Sequence, residues 1–280
     1  MRTPAGGIPT GSGPLLREDL CPMTTRDDFL AAVTAGDTAE MERLLAEDPS
    51  LAEAHDSQGV SAVLLAAYHG QAAARDLLAG RKVILDVFEA AAVGDCGRLA
   101  SLVDAKPGTA RAVSPDGFPV VALAAFFGRL TAVELLLAAG ADPNVAAANP
   151  MRVTALHAAV AQRDPVVSLA LVRLLLAHGA RVNVTQRGGW TPLHATAAHG
   201  PTEQVRLLLA HGADARAMTV DGQSALDLAE AAGRTENAAL LRAAPAGSSL
   251  RPEDAQLDRR RPPARGVRHG QRHRERLPVG

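Results

Sequence analysis

A short pattern that usually closes on a glycine recurs along this chain at a nearly constant spacing. Its clearest copy is TPLHATAAHG at residues 191–200. Copies open at residues 27, 61, 85, 119, 154, 191 and 224, so the successive spacings are 34, 24, 34, 35, 37 and 33 residues. A period near 33 residues is typical of a helical solenoid, in which stacked units bury a shared core.

Each unit has the features of two helices joined by a turn. Residues 192–198 predict a short first helix, and we expect Gly200 to end it in the left-handed conformation. Residues 203–210 predict a second, amphipathic helix that ends at Gly212. The loop that follows contains Asp221-Gly222, a pair that favours a tight turn.

The composition agrees with helices rather than strands. Ala and Leu dominate the apolar residues and have high helix propensity, whereas aromatic and β-branched residues favour strands. The sequence therefore predicts an all-α fold. The seven aromatic residues are Phe29, Tyr68, Phe88, Phe118, Phe126, Phe127 and Trp190.

Several motifs in the units resemble those of ankyrin repeats. They are TPLH at 191–194, TALH at 154–157, and an LLL-x-x-GA-D/R pattern at 135–142, 174–181 and 207–214. The resemblance covers residues 24–244 in about seven tandem repeats, of which the first, third and last are atypical. It implies a solenoid of stacked helix-turn-helix units with projecting β-turn or hairpin loops. It also implies a concave protein-binding face and no catalytic residues.

Three units depart from the regular length. The unit that opens at Ser61 is about nine residues short, so we expect no full hairpin loop near residues 81–86. The unit that opens at Pro119 has about two extra residues near 146–152. The unit that opens at Thr154 has about four extra residues between its helices, near 162–168.

The two ends of the chain differ in composition from the repeats. Residues 1–23 are rich in Gly, Pro, Thr and Ser, and residues 245–280 are rich in Arg and Pro. Neither segment has enough apolar residues to offset the entropy of ordering the chain. The predicted organisation is a disordered head (1–23), a repeat domain (24–244) and a disordered tail (245–280).

Charge is unevenly distributed between the repeats and the tail. The whole chain carries −1, yet residues 245–280 contain nine Arg and four acids, about +5, which leaves about −6 for the repeats. A mildly acidic body argues against a broad nucleic-acid groove. The tail could contact RNA, DNA or an acidic surface. No aromatic residues lie between its arginines to stack on bases, so a solvated tail is the preferred interpretation.

The residues with reactive side chains have structural explanations. The resemblance implies that His157 and His194 make hydrogen bonds between neighbouring units, and His178 and His211 lie where a helix dipole favours them. No G-x-S-x-G, Walker A or H-E-x-x-H motif is found in the sequence. We therefore expect no enzyme activity, no cofactor and no metal site.

Cysteine content and hydropathy bear on the compartment. Cys21 and Cys96 are the two cysteines, which favours a reducing compartment over a disulfide framework. No apolar run approaches the roughly 18 residues of a membrane span, and the N-terminus has no continuous apolar signal region. We expect a cytoplasmic, monomeric protein.

The aromatic residues indicate where a partner binds. In the repeat frame, five of the seven aromatics fall on positions that we predict to be exposed on the concave face, whereas Phe29 is predicted to lie in the core. Exposed aromatic patches are typical of interaction sites, although the rings could instead pack against neighbouring loops or lie under the tail. The predicted partner contacts are Tyr68, His69, Phe118, Phe126, Phe127, Asn149, Met151, Arg152, Arg187, Trp190 and His199.

The sequence thus predicts a non-catalytic scaffold that binds a partner protein, not itself identified, through the concave face of the repeats. The alternative function is nucleic-acid or acidic-surface binding through the Arg-rich tail. An enzyme would require a pocket with titratable groups of shifted pKa, and no motif indicates one.

Overall fold

The computed structural model describes residues 25–82 and 84–244, so the predicted head (1–23) and tail (245–280) lie outside the described residues. The described residues form α-helices, three 3-10 turns at Pro49–Glu53, Pro107–Arg111 and Arg187–Gly189, and no strand longer than an isolated bridge. The α-helices are α1 (Thr25–Ala35), α2 (Thr38–Glu47), α3 (Ala62–Tyr68), α4 (Ala72–Arg81), α5 (Val87–Val93), α6 (Cys96–Ala105), α7 (Val120–Phe126), α8 (Leu130–Ala138), α9 (Ala155–Val160), α10 (Pro165–Ala177), α11 (Pro192–His199), α12 (Thr202–Ala210), α13 (Ala225–Ala231) and α14 (Thr235–Ala243).

The chain divides into two compact units, one ending at Glu89 and one beginning at Ala90. In the first unit, α1 and α2 form one antiparallel pair and α3 and α4 form the next, with α1 packed on α3 and α2 on α4. Phe29, Met41, Leu64 and Leu78 are fully buried between them, as predicted for Phe29.

The second unit consists of two layers of helices. The first helices of the repeats, α7, α9, α11 and α13, pack side by side, and the second helices α8, α10, α12 and α14 form a parallel row. The core between the layers consists of alanine, leucine and valine side chains, and the small alanines let the helices approach closely. Its fully buried leucines are Leu99, Leu123, Leu136, Leu156, Leu171, Leu175, Leu193 and Leu208.

The connections confirm most of the length differences that the sequence predicts. Fourteen residues lie between α2 and α3, between α6 and α7, between α10 and α11, and between α12 and α13. Only five lie between α4 and α5, and sixteen lie between α8 and α9. The four extra residues near 162–168 are different, because they mainly lengthen the start of α10 to 13 residues instead of forming a loop.

The Thr-x-x-His pattern caps two of the first helices. The hydroxyl of Thr154 lies 2.8 Å from Nδ1 of His157, and that of Thr191 lies 2.8 Å from Nδ1 of His194. The opposite ring nitrogens bond to backbone carbonyls of the following unit, 3.2 Å away at Trp190 and 3.0 Å away at Ala217. The predicted role of both histidines in linking units is therefore confirmed.

Gly200 does not have the left-handed conformation that we predicted. Its φ is −80° and its ψ is 166°, which is extended backbone. The reason is Pro201, because a proline restricts the preceding residue to extended conformations. Gly212, by contrast, has a φ of 84°, as predicted for the end of α12.

Space, not backbone conformation, requires glycine at position 200. A Cβ there would lie 2.6 Å from Cγ2 of Thr196 and 2.7 Å from Oε1 of Gln204. We expect Gly200→Ala to lower the free energy of unfolding by about 1–3 kcal/mol, the usual cost of overpacking. Urea denaturation followed by circular dichroism measures this change.

The matched control is Gly80→Ala in α4, where an added Cβ would meet nothing within 4 Å. This substitution should raise the free energy of unfolding by up to about 1 kcal/mol, because Ala has the higher helix propensity. A Gly200→Ala protein as stable as the parent would show that the turn can relax, and would contradict the steric explanation.

Candidate partner-binding face

The loops that precede the first helices of the second unit are joined by backbone hydrogen bonds. The amide of Ala148 donates to the carbonyl of Gly117 at 2.8 Å, and that of Arg187 donates to Met151 at 3.0 Å. A third bond joins Val220 to Gly188 at 2.8 Å. The four loops therefore lie next to one another in the order of the repeats.

The opposite ends of the first helices are also connected from unit to unit. Nε2 of Gln162 donates to the carbonyl of Phe126 at 2.9 Å, and the guanidinium of Arg234 donates to that of His199 at 2.9 Å. Together with the loops, these helix ends define one continuous surface of the second unit. We call this surface, from the loop at residues 114–118 to the end of α13, the loop face.

Among the predicted contacts on the loop face, Phe126 and Met151 are the most exposed large apolar side chains. Phe126 is 47% exposed and Met151 is 44% exposed. The ring of Phe126 contacts that of Phe127 edge to face, with centroids 5.2 Å apart and an interplanar angle of 80°. Exposed apolar side chains beside a partly covered ring can anchor a partner.

Four of the five predicted aromatic contacts are less accessible than the sequence indicated. The prediction that they are exposed is wrong for Tyr68, Phe118, Phe127 and Trp190, which are half-buried. Trp190 packs 6.0 Å from the ring of His194, and Phe127 packs against Phe126. Tyr68 belongs to the first unit, as does the exposed His69 next to it.

Asn149 and Arg152 shape the longest loop of the second unit. The side-chain amide of Asn149 donates to the carbonyl of Asp116 at 2.9 Å and its Oδ1 accepts from the amide of Met151 at 3.1 Å. Arg152 has a φ of 54°, which is uncommon for a residue with a side chain. The amide group of Asn149 thus holds the loop in place, and contact of Asn149 with a partner remains a prediction.

A groove extends the loop face between the ends of α9 and α11. It encloses about 550 Å3 and is lined in part by Arg163, His199, Gln204 and Arg234. Two arginines, Arg163 and Arg234, and the exposed His199 therefore surround one depression. Oε1 of Gln204 is buried and has no hydrogen-bond partner in the part of the chain that the structure describes.

The capping histidines are poor candidates for acid–base chemistry. Burial lowers the pKa of His157 to about 4, and it also lowers the pKa of His194. A carbonyl only accepts hydrogen bonds, so Nε2 carries the proton and Nδ1 accepts from the threonine. Both ring nitrogens are occupied, which leaves no lone pair for a substrate or a metal.

An ion cluster in the first unit, in which two side chains are buried and that of Glu53 is 58% exposed, was not anticipated from the sequence. Nζ of Lys82 lies 2.6 Å from Oε2 of Glu53 and 2.8 Å from Oε1 of Glu89, and the Lys82 and Glu89 side chains are 4% and 0% exposed. Burial opposes the charge on Lys82, but the two carboxylates outweigh it and raise the pKa of the ammonium. Oε2 of Glu89 also accepts from the amide of Asp86 at 2.9 Å, which caps α5.

Two other features are absent from residues 25–82 and 84–244. No group of three or more His, Cys, Asp or Glu side chains in these residues is arranged to hold a metal ion. Within the same residues, no helix has the length and apolar character needed to cross a bilayer.

The family model described as "Ankyrin repeats (3 copies)" matches residues 87–186 and 166–251, more than half of the chain. The chain therefore belongs to the ankyrin-repeat family, and its helical pairs form a protein–protein interaction domain. Ankyrin-repeat proteins are typically non-catalytic interaction modules. A search of curated proteins returned no match to the chain.

Proposed function

We propose that this protein is a non-catalytic scaffold that binds a partner protein through the loop face of its second unit, acting as the concave face of the repeats. The observation that supports this proposal is the exposure of Phe126 and Met151 within that face. In a chain with seven aromatics, placing one at the surface beside a second ring gives a compact apolar anchor.

The hydrogen bonds between loops support a rigid mode of binding. Ala148, Arg187 and Val220 each donate to the preceding loop, so the four loops are held together before any partner arrives. A preformed surface loses little conformational entropy on binding. The half-buried rings would form the floor of the site, and the exposed side chains would contact the partner. These rings belong to Phe118, Phe127 and Trp190.

The proposal also covers the boundaries of the interaction region and the cellular compartment of the protein. We propose residues 24–244 as the interaction region, with a monomeric chain in the cytoplasm. Cys96 is half-buried and is a free thiol, which is compatible with a reducing compartment.

The loop face is tested by truncating its two exposed apolar side chains. We expect a Phe126→Ala/Met151→Ala double variant to weaken partner binding by about tenfold or more, since anchor residues typically contribute at least about 1–2 kcal/mol each. Its helical circular dichroism should be unchanged because both side chains are already exposed. The measurement is affinity capture from source-cell lysate with the full chain as bait, read by mass spectrometry.

The matched control is Val166→Ala, because Val166 is 77% exposed but lies at the start of a second helix. A partner retained by the parent and by the Val166→Ala protein, and lost by the double variant, would support the proposal. Equal retention by all three proteins would place the binding site elsewhere. Failure of the parent to retain any protein would count against a scaffold function.

A further inference from the structure

Arginines outnumber acidic residues in the central stretch of the loop face, although not over its whole length. Residues 143–202 contain five arginines and one acidic residue, Asp164, although the whole chain has a formal charge of −1. All five arginines are exposed. Asp164 forms no ion pair with these arginines in the described part of the chain, and its Oδ1 caps α10 by accepting from the amides of Val166 and Val167 at 2.8 and 3.2 Å.

Three of these arginines lie around the apolar residues of the loop face. Arg152 directly follows Met151, and the amide of Arg187 donates to the carbonyl of Met151. Arg163 follows Gln162, whose side chain is bonded to the carbonyl of Phe126. Arg152, Arg163 and Arg187 form no ion pair with any carboxylate in the described part of the chain, whereas Arg173 on α10 pairs with Glu203 at 3.2 Å.

The groove at the end of α9 continues the same charge pattern. Arg163 shares it with Arg234, and His199 lies on the same wall. A partner that crosses from Phe126 to this groove would therefore meet Arg163 and Arg234. Unpaired arginines that flank an exposed ring favour carboxylates because the guanidinium group can bind them with two parallel hydrogen bonds.

We propose that the partner segment recognised by the loop face is acidic, with separate aromatic or large aliphatic side chains that pack on Phe126 and on Met151 and carboxylates that pair with Arg152, Arg163 and Arg187. This inference rests on the proposed function and adds the chemistry of the partner. A protein segment fits better than nucleic acid, because three arginines neutralise few phosphates and Asp116 and Asp221 lie in neighbouring loops.

The test uses the full chain and a display library of random linear peptides. We expect the recovered peptides to be acidic and to share an aromatic or aliphatic residue. The best peptide is then synthesised with a fluorophore, and its affinity is measured by anisotropy at low salt. An Arg152→Glu/Arg163→Glu/Arg187→Glu triple variant should bind it roughly 10- to 100-fold more weakly.

The control triple variant is Arg173→Glu/Arg181→Glu/Arg206→Glu, which makes the same charge change at exposed positions outside the loop face. Its affinity for the peptide should equal that of the parent. If both triple variants lose binding equally, the attraction is nonspecific and the inference fails. If neither loses binding, the Arg-rich segment after residue 244 could be capturing the acidic peptide, and the inference also fails.

The Phe126→Ala/Met151→Ala variant distinguishes failure of this inference from failure of the proposed function. Two results would leave the loop face as the site but overturn the acidic preference. In the first, the peptides need these apolar residues but are neutral. In the second, they need these apolar residues but bind the arginine triple variant as tightly as the parent. Peptides that bind all variants equally would overturn both. Recovery of no peptide, or tighter binding of mixed-sequence single-stranded DNA to the loop face, would also overturn the inference.

Discussion

Replacing Lys82 by methionine is expected to lower the free energy of unfolding by about 3–5 kcal/mol, the typical cost of removing one partner from a buried ion pair. The Lys82 side chain is only 4% exposed, and Glu89 is 0% exposed. Methionine fills much of the same volume but leaves the Glu89 carboxylate without its cation. Chemical denaturation of the full chain, followed by circular dichroism, measures the loss.

The large cost follows from the surroundings of Glu89. Its Oε2 accepts from the amide of Asp86, so the carboxylate cannot turn towards water without releasing the cap of α5. Burial also raises the pKa of Asp86, although hydrogen bonds from the amides of Glu89 and Phe88 oppose this. The cluster lies at the five-residue connection between α4 and α5, where the short unit has no full hairpin loop.

Two further variants isolate the effect of burial. Arg43→Met removes ion pairs with Glu40 and Glu47 in which every side chain is at least 37% exposed, and it should cost much less than Lys82→Met. The double variant Lys82→Met/Glu89→Leu removes both buried charges and should recover much of the stability lost by the single change. Equal costs for Lys82→Met and Arg43→Met would mean that water reaches the cluster.

The second large effect is expected when the pH is lowered from 7.5 to 5. The pKa of His157 in the folded protein is about 4, against an ordinary value near 6.5 in the unfolded chain. Between these values the unfolded chain binds the proton and the folded protein does not, so acid favours unfolding. By pH 5, His157 alone should lower the free energy of unfolding by about 2 kcal/mol.

His194 should add to this loss because burial lowers its pKa as well. A His157→Gln variant is less stable at neutral pH but should lose less stability between pH 7.5 and 5, since glutamine does not titrate. The control is His199→Gln, an exposed position whose replacement should leave the pH dependence of the parent unchanged. An unchanged pH dependence for His157→Gln would mean that other groups produce the acid sensitivity.

The repeat period and the order of helices could be predicted from the sequence because they depend on local interactions. Thr154 and Thr191 cap helices through a histidine three residues later, and glycines such as Gly212 end them. Such contacts span a few residues and leave a visible pattern. The extended backbone of Gly200 was also encoded locally, since Pro201 excludes the left-handed turn that the frame suggests.

Burial and pairing across units depended on the tertiary structure. Positions in the frame indicated which aromatics belong to the loop face, but only packing decided that Phe126 is exposed while Phe127 and Trp190 are half-buried. Likewise, Glu53 lies 29 residues before Lys82 in the sequence, and no motif connects Glu53, Lys82 and Glu89. The sequence by itself therefore determined the class of fold, whereas packing between residues of different helices determined which side chains of the loop face stay exposed.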